Sequence, residues 1–115
     1  MASIALTTDT SSITAISNDF SFKSIFSRQV EGLGKKGDVL YAISTSGNSE
    51  NVLEAMRTAS NIGIKIIGLT GENDSTMSNL CDCVIKVPAI RPDRIQEMHI
   101  AVGQIICEII EDTLC

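Results

Sequence analysis

The sequence predicts an α/β fold built on a parallel sheet, and three observations carry that prediction. Apolar runs of strand length, at residues 39–43, 64–69 and 83–87, alternate with longer runs whose apolar positions recur at helical spacing. Elements alternating in this way form parallel strands joined by right-handed crossovers. Hydrophobic residues make up 43% of the chain but include no Trp, three Phe and one Tyr, so the excess lies in the Ile, Val, Leu and Ala that fill buried parallel strands. A chain of 115 residues is one domain's worth, with a single modest core.

In chain order, residues 2–7 read as a strand that starts almost at the first residue, and residues 9–18 as a mixed stretch with a short helical turn around Ile13, Ala15 and Ile16. Phe22, Ile25, Phe26, Val30 and Leu33 have helical spacing and predict one helix over 21–33, stopped by Gly34. Lys35-Lys36-Gly37-Asp38 is a tight turn into the strand 39–43. A helix over 49–61 follows, closed by Gly63 as a left-handed cap, then the strand 64–69, a short helix over 75–80 and the strand 83–87, ended by Pro88. The longest helix runs over 94–114 with the stripe Ile95, Met98, Val102, Ile105, Ile106, Ile109 and Ile110. Its last turns carry Glu108, Glu111 and Asp112, which oppose the helix dipole, so packing must hold it. Gly103 in mid-helix costs about 1 kcal/mol against Ala, and predicts close approach of another helix, within the chain or between subunits.

The stretch with the clearest chemistry is the loop 44–49, Ser-Thr-Ser-Gly-Asn-Ser, between the strand 39–43 and the following helix. A helix N-terminus presents unpaired N–H groups and the positive end of the dipole, and Ser44, Thr45, Ser46 and Ser49 add uncharged hydroxyl donors. That set suits reversible holding of a monophosphate ester. One glycine and no lysine match neither the dinucleotide fingerprint nor the Walker A loop. The alternative is that Asn48 or Ser49 only caps the helix. The parallel sheet favours the phosphate reading, because ligands bind outside the carboxyl ends of such strands, where both this loop and the loop 70–74 lie.

A net charge of −5 and a pI near 4.7, with scattered Lys and Arg, argue against direct nucleic-acid binding. No apolar run approaches the ~20 residues of a membrane span, so membrane contact is not expected and a cytoplasmic location is. None of the four cysteines has zinc-finger spacing. The Cys81–Cys83 pair reads as two small side chains on one face near a strand start, with a redox pair as the alternative.

With these residues in view, the chain resembles the sugar isomerase (SIS) family, and within it the phosphoheptose isomerase group. Residues 37–40 (Gly-Asp-Val-Leu), 43–49, 69–71 (Leu-Thr-Gly) and 93–99 (Asp-Arg-Ile-Gln-Glu-Met-His) follow that group's pattern in order across nearly the whole chain. The resemblance implies a flavodoxin-like three-layer sandwich with helices on both faces of the sheet. It also implies a homotetramer with active sites at subunit interfaces. Ser44, Thr45, Ser46 and Ser49 would bind the phosphate, and Asn18, Asp19 and Asp93 would line the sugar site. Gln96 would approach the catalytic centre, where the family can hold a divalent metal, usually zinc. The family has a further N-terminal portion carrying a glutamate base and metal ligands. Residues 1–115 therefore read as the C-terminal part of a SIS domain, incomplete at its N-terminus, with the strand at 2–7 as a cut edge.

The implied activity interconverts sedoheptulose 7-phosphate and D-glycero-D-manno-heptose 7-phosphate through an enediol, for cell-surface heptose synthesis. Where the isomerases carry a general acid/base histidine, this chain has Gln104, which can polarise a carbonyl oxygen but cannot exchange a proton near neutral pH. Gln96 and Gln104 lie about 80° apart round the helix and can face one site, at its metal or carbonyl end. His99, about 140° from Gln104, is expected to face elsewhere, in a structural or interface role. The family also contains the tetrameric protein that associates with the replication initiator DnaA, which lacks the same histidine, and sensors that bind a phosphosugar without turnover. Both stand as alternatives to the isomerase.

Overall fold

The computed structural model describes residues 2–114. The elements are α1 (Thr10–Asp19), a 3₁₀ turn (Phe22–Ser24), α2 (Ser27–Leu33), β1 (Val39–Ile43), α3 (Glu50–Ile62), β2 (Lys65–Thr70), α4 (Thr76–Leu80), β3 (Cys83–Lys86) and α5 (Pro92–Leu114). The strands form one parallel sheet in the order β1-β2-β3, with Val39 opposite Lys65 and Ile67 opposite Cys83. All three strands and the helices between them match the expected order, with ends displaced by one or two residues. Pro92 accounts for the earlier start of α5, since a proline at the first helical position loses no hydrogen bond.

The core lies between one sheet face and the helices that cover it. Val30 of α2 and Leu53, Ala55, Met56 and Ala59 of α3 pack with Ala42, Ile64, Ile66 and Met77. Side chains alternate across a strand. Thus Ala42 and Ile66 point into this core, while Val39, Tyr41 and Ile43 of β1 point to the other face and are 57%, 36% and 49% exposed. Helix α5 packs against β2. Of its apolar stripe Ile95 alone is buried, Met98, Val102, Ile106 and Ile110 are half-buried, and Ile105 and Ile109 are exposed. Ile95 therefore anchors α5, and the rest of the stripe is only partly covered by this chain.

Two expectations are corrected and a third is narrowed. Residues 2–7 form no strand: residues 2–5 are exposed, and a turn in which Thr8 bonds the Ala5 carbonyl leads into α1, whose N-terminus is capped by Asp9 accepting from the Ser12 N–H. A strand needs a ladder partner, and among the described residues β1 pairs only with β2. The helix over 21–33 is broken into a 3₁₀ turn and α2. Ser21, Ser24 and Ser27 bond one another or the local backbone at the break, the competition that makes serine a poor helix-interior residue. Within this chain no helix approaches Gly103, where a Cβ would touch only the Tyr41 hydroxyl at 3.9 Å, so of the two expected contacts only the one between subunits stays open.

Two glycines are required for different reasons. Gly63 has φ +88° and closes α3 in the left-handed conformation, as expected, with its N–H on the Ala59 and Ser60 carbonyls. Gly34 stops α2 without a left-handed turn. A Cβ there would lie 2.5 Å from Ile64 Cδ1 and 2.8 Å from the Val30 carbonyl oxygen, so close packing selects it.

Candidate functional site: a groove from the Ser/Thr loop to α5

The loop 44–49 is held by its neighbours so that its hydroxyls gather at the α3 N-terminus. Ser44, 7% exposed, donates its N–H to the Leu69 carbonyl of β2, and its hydroxyl oxygen accepts from the Gly47 N–H at 3.1 Å. The Ser44 and Ser49 hydroxyls lie 3.0 Å apart. Ser49 occupies the N-cap position of α3, yet its side chain makes no capping bond. Asn48 does not cap either, since its Oδ1 accepts from the Thr76 N–H at 3.0 Å and ties this loop to α4. The helix-cap alternative thus fails for both residues, and the positive end of α3 keeps its capacity for an anion.

Gly47, with φ +64°, carries the tightest contacts of the loop. A Cβ there would lie 2.2 Å from Ser75 Oγ and 2.8 Å from Thr70 Oγ1. Thr70 is 1% exposed and its hydroxyl has no hydrogen-bond partner among the described residues. The Gly71 N–H bonds the Thr45 carbonyl, and the Met77 N–H bonds the Gly47 carbonyl. The two loops at the carboxyl ends of β1 and β2 are therefore one cross-linked unit.

Two cavities open on this unit. A small one of about 420 Å³ is lined by Thr45, Ser46 and Asn48, with Glu72 and Asp74 on the opposite wall. Asp74 is paired with the Lys86 ammonium, which leaves Glu72 as the carboxylate that repels an anion there. The larger is a groove of about 1570 Å³ that runs from Ser44, Thr45 and Ser49 along β1 to α5. Among the described residues its only carboxylate is Asp38, in the turn before β1 and so at the far end of that strand. An anion held by the loop hydroxyls and the α3 N-terminus faces this groove with the least repulsion.

The α5 wall of the groove carries Gln96, His99, Gly103, Gln104 and Cys107. Gln96 and Gln104 are exposed and share the groove with the loop hydroxyls. Contrary to the angular argument, His99 lies in the same groove. It is 5% exposed, and neither ring nitrogen has a partner among the described residues. The helical wheel compared His99 with Gln104 alone. Three residues after Gln96 and four before Gly103, it is a neighbour of both on the helix surface, and that spacing was the available signal.

Other expected residues stand apart. Asn18 and Asp19 end α1, exposed and bonded to each other at 2.8 Å, and line neither cavity. Asp93, in the first turn of α5, is held by Arg91 through two bonds of 2.8 and 3.2 Å and also lines neither. For zinc the donors are a poor match: Gln96 and Gln104 offer neutral amide oxygens, and no group of three His, Cys, Asp or Glu gathers among the described residues. The described side chains do not by themselves make a zinc site.

Cys81 and Cys83 are free and differently placed. Cys81 is half-buried against Gly68 and donates to the Met77 carbonyl, while Cys83 is exposed. Burial pushes the Cys81 thiol above its ordinary range, helped by Cys83 and Asp82, which keeps it protonated and unreactive. No helix among the described residues is long and apolar enough to cross a membrane.

The SIS domain family model matches residues 1–71. The phosphoheptose isomerase of Rhodospirillum rubrum is 53% identical over 112 residues, covering 97% of this chain and 60% of that protein, and the one of Nitratiruptor sp. is 53% identical over 113. The solved phosphoheptose isomerase of Neisseria gonorrhoeae superposes with a TM-score of 0.94 at 46% identity, over 96% of this chain and 62% of that one. The Francisella tularensis enzyme gives 0.92 at 39%. The chain thus spans about 60% of the length of the relatives it matches. A match over 71 of 115 residues, together with parallel strands flanked by helices as in these structures, shows that the chain belongs to the SIS domain family.

Proposed function

We propose that this chain forms the sugar-phosphate-binding portion of a phosphoheptose isomerase, which interconverts sedoheptulose 7-phosphate and D-glycero-D-manno-heptose 7-phosphate. The observation that carries the reading is the single groove joining the hydroxyls of Ser44, Thr45 and Ser49 to the amides of Gln96 and Gln104. The relatives' names support the choice of substrate. In this reading the phosphate takes hydrogen bonds from Ser44, Thr45 and Ser49 and sits on the α3 N-terminus, and Ser46, which lines the small cavity only, joins them by turning its side chain. The sugar then extends along β1, so its carbonyl end reaches α5.

Isomerisation through an enediol requires one group to remove a carbon-bound proton and another to serve the carbonyl oxygen. Gln104 donates an N–H to that oxygen and stabilises the charge that develops there. It moves no proton, so the base is a group other than the two glutamines. Asn18, Asp19 and Asp93 reach the sugar only if α1 and the start of α5 shift toward it. The proposal places the protein in the cytoplasm, in the supply of heptose for the cell surface. It includes assembly into a homotetramer, which the exposed Val39, Ile43, Ile100 and Ile105 support by leaving apolar surface for further protein to cover.

The test is sedoheptulose 7-phosphate mixed with the protein, together with any upstream segment that its gene encodes, with isomerisation and exchange of the carbon-bound proton followed by NMR beside a Gln104→His variant. Turnover by the unmodified protein is the expected result. Binding without turnover would replace the enzyme with a phosphosugar sensor, and absence of sugar binding together with capture of the replication initiator would replace it with the initiator-associating role.

A further inference from the structure

We infer that His99 is the ligand-contacting group at the sugar end of the groove, a role that rests on the sugar-phosphate reading above. A neutral imidazole carries one N–H donor and one acceptor nitrogen, and leaving either unpaired in a buried place is costly. His99 is 5% exposed with both nitrogens unpaired among the described residues, on the wall of a groove whose other end is the anion-holding loop. The next turn of α5 leaves the groove wall uncovered at Gly103. Gly103, four residues on and on the same face, has no side chain to cover it, and a Cβ there would meet nothing nearer than the Tyr41 hydroxyl at 3.9 Å.

His99, Gly103 and Tyr41 therefore line one stretch of the groove wall, and just beneath that wall a donor and an acceptor lack partners among the described residues. A polyhydroxylated sugar supplies both in one molecule, since each hydroxyl donates and accepts. Gln96, one turn before His99, adds an amide to the same wall. A second copy of this chain could also meet His99, and the test separates the two.

His99 is the only histidine, so its ring nitrogens give isolated signals in a long-range ¹H–¹⁵N correlation spectrum of the 115-residue chain. Inorganic phosphate and sedoheptulose 7-phosphate are titrated in parallel. Both shift the backbone amides of residues 44–50, but the sugar phosphate alone shifts the His99 nitrogens. His99→Gln weakens the sugar phosphate by about tenfold, the worth of one or two hydrogen bonds, and leaves inorganic phosphate unchanged. Gly103→Leu, which covers the groove wall one turn beyond His99, gives the same split between the two anions. Loop amides that respond to the sugar phosphate while the His99 signals stay still would overturn this inference and leave the proposed function standing. His99 signals that move with protein concentration alone would assign the ring to a contact between copies and overturn it too. Loop amides that ignore both anions would remove the proposed function and this inference with it.

Discussion

Replacing Gly47 with alanine tests whether the Ser/Thr loop is packed as described. The residue sits at φ +64°, where an L-residue costs about 1–2 kcal/mol. The new Cβ would also lie 2.2 Å from Ser75 Oγ, 2.5 Å from Ser75 Cβ and 2.8 Å from Thr70 Oγ1. Relieving that overlap moves either the loop or the start of α4, for about 1–3 kcal/mol more. The sum, roughly 2–5 kcal/mol, lowers the melting temperature of a 115-residue domain by about 8–20 °C. Gly37→Ala is the control. That glycine also has positive φ, +96°, but nothing lies within 4 Å of its Cβ position, so the variant carries the backbone cost alone. Calorimetric scans of both variants isolate the packing contribution. Equal losses would refute the cross-linked loop, because Ser75 and Thr70 would then not be pressing on Gly47.

Other perturbations give distinct results. Gly103→Ala raises stability by about 0.5–1 kcal/mol in urea unfolding, since alanine is the better helix former and its Cβ meets only the Tyr41 hydroxyl at 3.9 Å; destabilisation would restore a tight helix contact there. Met56, fully buried between α3 and the sheet, loses about 2–5 kcal/mol on change to alanine, read as a lower urea midpoint at unchanged slope. The Lys65 ammonium at 2.6 Å and the Ile66 N–H at 2.8 Å hold the Asp82 carboxyl below its ordinary range. Its folded value thus lies under the unfolded value of about 3.9, so its stabilising contribution is complete above that pH and is lost as pH falls through the folded value. Wild type should exceed Asp82→Asn in urea midpoint at pH 6 and converge with it in strong acid; a gap that persists there would assign the effect to packing. Ser44→Ala should weaken phosphate binding without changing the position of the Leu69–Ser44 backbone bond, checked by calorimetric titration and the Ser44 amide shift.

Much of the fold was legible because its signals are local. The strands β1, β2 and β3 are short apolar runs between breakers, and Gly63 ends α3 in the left-handed cap its position implied. The failures share a different cause. Residues 2–7 carry strand-like composition, but a strand exists only with a partner, and that depends on what lies beside β1. The helix over 21–33 has the right apolar period, yet Ser21, Ser24 and Ser27 draw hydrogen bonds away from it at the break. In the site, the Ser44 to Ser49 hydroxyls followed from one loop and one helix start. The placing of His99 did not, because a helical wheel gives angles between residues but not which arc faces the sheet. Asn18, Asp19 and Asp93 came from resemblance, and in this chain they line neither cavity.

The central claim is that one groove takes a sugar phosphate by its phosphate at the Ser/Thr loop and by its sugar at α5. The most direct measurement is an NMR titration of sedoheptulose 7-phosphate that follows the backbone amides of residues 44–50 together with the side-chain amides of Gln96 and Gln104. The account predicts that both sets shift and saturate with one dissociation constant, since one molecule spans the groove. Shifts confined to residues 72–74 in the small cavity, or none in either set at saturating sugar phosphate, would contradict it.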